Sequence, residues 1–245
     1  MNKTYLYPYS AEEARRRNEM SLCRASHKAN LACKEEIELA IGTHFDGTHL
    51  EEGCAEGVIR EYGYKRVQWV LSHTIQQLDW SDRFSQANKE WARQTYIPKD
   101  RAYVTDLIIV SDPAVVDLFA TQFQCAYQEL GLFGPNQCEP NSFEELDYEG
   151  KVLVLSPDTL KESYWNARAQ LWYAHDGFGC SPKAIGRSVR CTCLGDGEMT
   201  RWNRTDFIGA LKDEFLPEWA KEKLMELKGQ EQNNDSPAMG GITME

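Results

Sequence analysis

"YAHDGFGCSPKAIGRSVRCTCLGDGEMTRWNR", residues 173–204, is the stretch on which the reading of the fold turns. Asp176-Gly177 and Asp196-Gly197 stand where tight turns belong, because Asp-Gly favours the positive φ values of hairpins. Between them Val189, Cys191 and Cys193 alternate with Arg190, Thr192 and Leu194. That period of two places the cysteines on one face of a strand. The stretch is therefore expected to form two or three antiparallel strands. The neighbouring sequence extends the pattern, with strands expected over Lys151–Leu155, Gln170–Ala174, Ile185–Leu194 and Glu198–Trp202. A closing helix, Pro217–Lys228, is expected to set Trp219, Leu224 and Leu227 over the cysteine face.

Upstream the period changes from two to between three and four. Ser10 and Glu13 form a capping pattern, and Leu22, Ala25, Ala29, Cys33, Ile37 and Ile41 follow as one helical stripe. Thr48 and Glu51 repeat the cap before a second helix ending at Gly63. A third, Tyr64–Leu78, carries Val67, Val70, Leu71, Ile75 and Leu78 inward and Lys65, Arg66, Gln68, His73 and Gln76 outward. A short helix over "SQANKEWARQ", a β-rich run from Tyr103 to Val110, and a helix opened by Pro113 complete this half. "FGPNQCEPNSFEEL" (133–146), with two prolines and two asparagines, reads as a linker. The expected architecture is α+β: a mainly helical domain over 1–135, a small antiparallel β module with a closing helix over 146–228, and a disordered tail over 229–245.

Hydrophobic residues make up 42% and charged residues 27% of the 245-residue chain, an ordinary balance for a folded protein. The net charge of −11 is spread along the sequence. No segment is basic enough to track a phosphate backbone, which disfavours a strong nucleic-acid binder. The apolar runs "LIIV" and "VLVL" are far too short to cross a bilayer, and the start lacks the apolar stretch of a signal peptide. A cytoplasmic location is expected, and with it free thiols at all eight cysteines.

Four candidate sites follow. His175, Cys180, Cys191 and Cys193 have the chemistry of a zinc ligand set, but the spacing is not a knuckle, so packed thiols are favoured and no metal or other cofactor is expected. Cys180 with His175 as base would make a nucleophile pair only if the ring met the thiol. Arg201, Trp202, Asn203 and Arg204 place two guanidinium groups beside an indole. They could grip a partner, or pair with Asp196, Glu198 and Asp206. Helices two and three around Gly63 could form a helix-turn-helix, though most such pairs are simply core. "GFG" at 177–179 lacks the spacing of a phosphate loop and is expected to serve a bend.

The motifs "LYPYSAEEA", "ANLACKEEIELAI", "HFDGTHL", "DRFSQANKEWA" and "SDPAVVDLF" together resemble a bacterial family catalogued as domain of unknown function 3849, over roughly residues 4–135. "GKVLVLSPDTLKES", "QLWYAHDGFGCSP" and "GDGEMTRWNR" are similar to a module of polyvalent accessory proteins. The resemblance implies the setting of conjugative and integrative elements in gut Firmicutes, and brings no catalytic residues. A non-enzymatic binding protein is expected, its partner a host or element-encoded protein. The alternatives are an enzyme using the His175/Cys180 region and a weak nucleic-acid binder.

Overall fold

A computed structural model of the chain describes residues 5–101, 104–140 and 142–234. The fold is α+β: a helical first half, then a five-stranded antiparallel sheet and a long final helix.

Helices α1 (Ala11–Arg16), α2 (Met20–His44), α3 (Cys54–Tyr62), α4 (Tyr64–Gln77), α5 (Gln86–Arg93) and α6 (Pro113–Glu129) build the first half. The Ser10 hydroxyl accepts from the Glu13 N–H at 3.0 Å, as the capping pattern requires. The helix it opens is short, however, because Asn18 adopts φ 57° and the chain restarts as α2. The buried stripe of α2 is Cys23, Ser26, Asn30, Cys33, Ile37 and Ile41, which leaves Leu22 43% exposed. The expected phase fails there for a polar reason. The Arg66 guanidinium from α4 is buried against α2 and donates to the Ser26 carbonyl at 3.1 Å and to the Asn30 side-chain oxygen. A buried cation needs acceptors, so polar residues occupy the inner face.

The Thr48/Glu51 cap does not form. Instead the Asp46 carboxylate accepts from the Thr48 and His49 N–H groups, both at 2.7 Å, in a turn closed by a Phe45–Leu50 bridge. Helix α4 is buried almost all round, including Arg66 and His73, both expected outside. Within the expected β-rich run, residues 102–103 lie outside the described residues, and Thr105–Leu107 forms a 3-10 turn.

The sheet holds β1 (Val152–Leu155), β2 (Leu171–Asp176), β3 (Ser188–Cys193), β4 (Met199–Asn203) and β5 (Phe207–Ala210), in the order β4-β3-β2-β1-β5. The strand β5 went unforeseen, being four residues long with a glycine inside it. A short helix, α7 (Ala167–Gln170), leads into β2. Asp196-Gly197 makes the expected turn, with Gly197 at φ 81°. Asp176-Gly177 opens a longer loop instead, and Gly177 passes so close to β3 that an added Cβ would lie 2.3 Å from the Ser188 carbonyl oxygen. The last helix, α8 (Glu218–Asn234), continues past Lys228. Residues 229–234 of the expected disordered tail are therefore helical, and 235–245 lie outside the described residues.

The cysteine face of β3 is dry, as expected: Val189, Cys191 and Cys193 pack with Tyr148, Trp172 and Phe207. It is not the face under α8. The final helix covers the opposite side, where Ala220 and Trp219 meet Val152, Val154, Leu171, Tyr173 and Leu194. Both faces of β1 are buried, so alternation within one strand sorts residues into faces without naming the layer above each.

The segment expected as a linker runs along the β5 edge. Cys138 bridges Leu211, the Glu139 N–H donates to the Ala210 carbonyl at 2.8 Å, and the Lys212 N–H donates to the Gln137 carbonyl at 2.9 Å. An otherwise unpaired strand edge holds it there. The two halves also meet directly. Asp158, between β1 and α7, accepts from the Tyr64 and Lys65 N–H groups at 2.8 Å each, capping α4. Arg17 donates to the Ile185 and Ala184 carbonyls at 3.0 and 3.2 Å, and Arg187 pairs with Glu19.

Candidate functional site

The sheet separates the four soft ligands. His175 lies on the α8 side of β2, its ring 5.0 Å from that of Tyr173 and its Nε2 2.7 Å from the Thr192 hydroxyl. Cys180, Cys191 and Cys193 belong to the core on the other side. Among the described residues no group of three or more His, Cys, Asp or Glu side chains is placed to hold a metal ion. Burial pushes the Cys180 thiol up to about 11, Cys191 to about 12 and Cys193 to about 11. These groups are protonated at neutral pH, and the thiolate is the nucleophile, so the Cys180/His175 pair lacks both geometry and charge state. Gly179, like Gly177, meets a carbonyl: an added Cβ would lie 2.0 Å from the Arg187 oxygen. The "GFG" glycines serve close backbone approach.

The helix-turn-helix reading fails at α4. Gly63 joins α3 to α4 at φ 84°, but ten residues of α4 are buried, from Tyr64 to Ile75. No face of that helix is left to enter a DNA groove.

The Arg201–Arg204 stretch divides. Arg204 is 2% exposed, where an open position at the end of the sheet was expected. Its guanidinium donates to the carbonyls of Ser142, Phe143, Leu146, Gly179 and Cys180 at 2.7–3.0 Å, and its carbon lies 3.7 Å above the centre of the Tyr148 ring. The cause is the loop over 142–149, whose carbonyls have no ladder or helix to satisfy them. Trp202 is half-buried, its ring 5.6 Å from that of Trp172 in a T-shaped contact. Among the described residues the expected ion network does not form either. Asp206 accepts from the Asn203 N–H at 2.8 Å and Asp196 from the Glu198 N–H at 2.9 Å. Arg201 and Asn203 stay in solvent, and Arg201 lies directly across from Arg190 on β3, which pairs with Asp176.

Arg201 sits on the open edge of the sheet. The Cys193 N–H donates to the Glu198 carbonyl at 2.8 Å and the Arg204 N–H to the Arg187 carbonyl at 2.7 Å, which fixes the bonded pairs of the β3–β4 ladder. Antiparallel pairing alternates, so Met199 and Arg201 turn their N–H and C=O groups outward. Met199 is 58% exposed beside them. The opposite edge, β5, is the one covered by residues 138–139.

Cavities of about 120, 290 and 520 Å³ lie between the halves. The smallest of these is lined by Lys65, Trp69, Tyr96, Phe143 and Thr205 among others. Lys65 donates its ammonium to the Thr205 and Phe207 carbonyls, and burial lowers its pKa to about 8. It acts as a tie between α4 and the sheet.

The largest, about 520 Å³, opens where α6 ends and the chain reverses at Gly131, φ 62°. Trp91, Phe123, Tyr127 and Phe133 form its walls, and Phe215 stands at its rim. Gln68, Gln124, Gln128, Asn136 and Gln137 supply its polar groups. In a chain that is 27% charged, none of the described residues lining this cleft carries a charge. Sequence reasoning missed it because Asn136 and Gln137 look like linker residues. The signal available was the run of amides in "GPNQCEPN".

Such features define an α+β protein with an open strand edge and an aromatic cleft rich in amide side chains. Residues 6–128 match a family described as protein of unknown function, DUF3849. The match spans half of the 245 residues, and the chain belongs to this family. No curated protein and no solved structure matches it. Among the described residues no helix is long and apolar enough to cross a membrane.

Proposed function

We propose that this protein works by binding another protein, taking an extended segment of that partner as a sixth strand against β4. The observation that carries the reading is the outward backbone of Met199 and Arg201 on an edge that nothing covers among the described residues. Strand addition supplies affinity through main-chain hydrogen bonds and specificity through alternate side chains. Arg201 faces Arg190, which pairs with Asp176. An acidic residue on the incoming strand, opposite Arg201, answers that local charge. A binding role suits the accessory-protein resemblance of the second half. In that setting the partner is a host or element-encoded protein of the cytoplasm, and the outcome is counter-defence or assistance to transfer.

Arg201→Pro tests the mode. Proline removes an outward donor and no ladder bond, a position that edge strands tolerate. Affinity capture from a gut Firmicute lysate with the wild-type chain is compared with capture by Arg201→Pro at an unchanged melting temperature. A stoichiometric partner lost on Arg201→Pro supports the reading. A partner retained by the variant, or amide exchange at Met199 and Arg201 unchanged in the complex, overturns it.

A further inference from the structure

The uncharged cleft has no part in strand addition. Its volume of about 520 Å³ falls within the ~300–1,000 Å³ typical of small-molecule sites. We propose that it binds a nucleobase, as the free base or the nucleoside.

Three observations lead there. First, the walls are aromatic and the rim carries Phe215, 39% exposed, whose ring is available to a flat ligand. Every base has a π face, and stacking on an aromatic ring tolerates any of them. Second, the polar groups are primary amides. Gln and Asn present a donor and an acceptor side by side, the complement of the edge of a base. Among the described residues nothing bonds the side chains of Gln128 and Asn136, whereas Gln124 is engaged by its Nε2 with Asn88 at 2.6 Å. Third, Tyr127, 6% exposed, lines the cleft, and its buried hydroxyl has no hydrogen-bond partner among the described residues. Gln170 lies beside it, its amide bonded to both the N–H and the C=O of Phe133, at 2.7 and 2.9 Å. A buried hydroxyl without a partner is destabilising unless a ligand supplies one.

The absence of charge from the lining limits the ligand. The nearby cation Lys212 donates its ammonium to the Asn136 carbonyl at 2.9 Å and lies 5.8 Å over the Phe215 ring. Among the described residues of the lining a phosphate would meet no free cation, and the chain carries a net charge of −11. Sugars are held mainly through hydroxyl donors that favour carboxylates, and the lining has none.

Isothermal titration of the full chain settles this, with adenosine, guanosine, cytidine and uridine, their 5′-monophosphates, and N-acetylglucosamine as probes. We expect saturable binding of at least one nucleoside, weaker binding of its monophosphate, and none of the sugar. Phe215→Ala and Gln128→Ala, both at exposed positions, should weaken nucleoside binding about 10-fold at unchanged melting temperature. The proposal falls if no nucleoside saturates at millimolar concentration. It falls equally if the monophosphate binds more tightly, if the sugar binds in its place, or if neither substitution alters affinity. Arg201→Pro should leave this titration unchanged, which keeps it separate from the strand-addition reading.

Discussion

The two faces of the sheet are closed in opposite ways. On one, α8 lies across Val154, Tyr173 and Leu194 with apolar contacts from Trp219 and Ala220. On the other, the loop over 142–149 covers the cysteines and is tied down by Arg204. The difference follows from backbone bookkeeping. A helix satisfies its own N–H and C=O groups, so apolar packing suffices to hold it. A loop has no internal partners for its carbonyls, and burying them requires a donor. One guanidinium, with five N–H groups in a fixed fork, serves five residues at once.

That contrast can be broken most directly at Arg204. Arg204→Ala leaves buried carbonyls at Ser142, Gly179 and Cys180 without their donor and should cost about 4 kcal/mol in urea unfolding. Arg204→Lys keeps the charge without the fork and should recover about half of that loss. A variant as stable as wild type would show that the loop is held by packing alone. The next effect, Cys191→Ser, buries a hydroxyl in the cysteine face and should cost about 1–3 kcal/mol. The same thiol has a sign to test. Its folded pKa, about 12, lies above its ordinary value of 9.0. The stability it contributes is therefore full below about pH 9 and is lost as pH rises toward 12. Urea midpoints should hold between pH 6 and 8 and fall above pH 9, less steeply in Cys191→Ala.

On the α8 side, Trp219→Ala should cost about 1–2 kcal/mol, since the ring is only partly buried and also meets the Arg168 guanidinium at 4.8 Å. The smallest effect is expected at Arg201. Arg201→Ala should shift stability by less than about 0.5 kcal/mol in the same assay. Equal losses at Arg201 and Arg204 would mean that the edge strand, rather than the loop tie, is what both substitutions disturb.

Arg201 and Arg204 also show what was legible in the sequence. The α+β class, the alternation of β3 and the sorting of its cysteines onto a dry face all follow from periodicity, which is local. The fate of Arg204 depends on carbonyls about sixty and about twenty-five positions earlier, and nothing in "RWNR" announces them. Arg66 is the same case, since the acceptors that draw it inward lie on α2. Helical periodicity sets Arg66 outward, and charged residues such as Arg204 usually stay in solvent. The cleft was hidden for another reason. Its walls come from α5, α6, the 131–137 segment and Phe215, and only the folded chain brings them together.

The cap on α4 reaches beyond stability. The family match ends at residue 128, yet the carboxylate that receives the first N–H groups of α4 belongs to Asp158. Gly63 is shaped to the same acid, since an added Cβ would stand 2.8 Å from its oxygen. A gene that exchanged its second half by recombination near the boundary would inherit a glycine and a helix end waiting for an acid. A hybrid with an acid at the place of Asp158 would keep the cap, and one without it would lose about 1 kcal/mol. The seam between the halves thus sets a chemical condition that an exchanged second half has to meet.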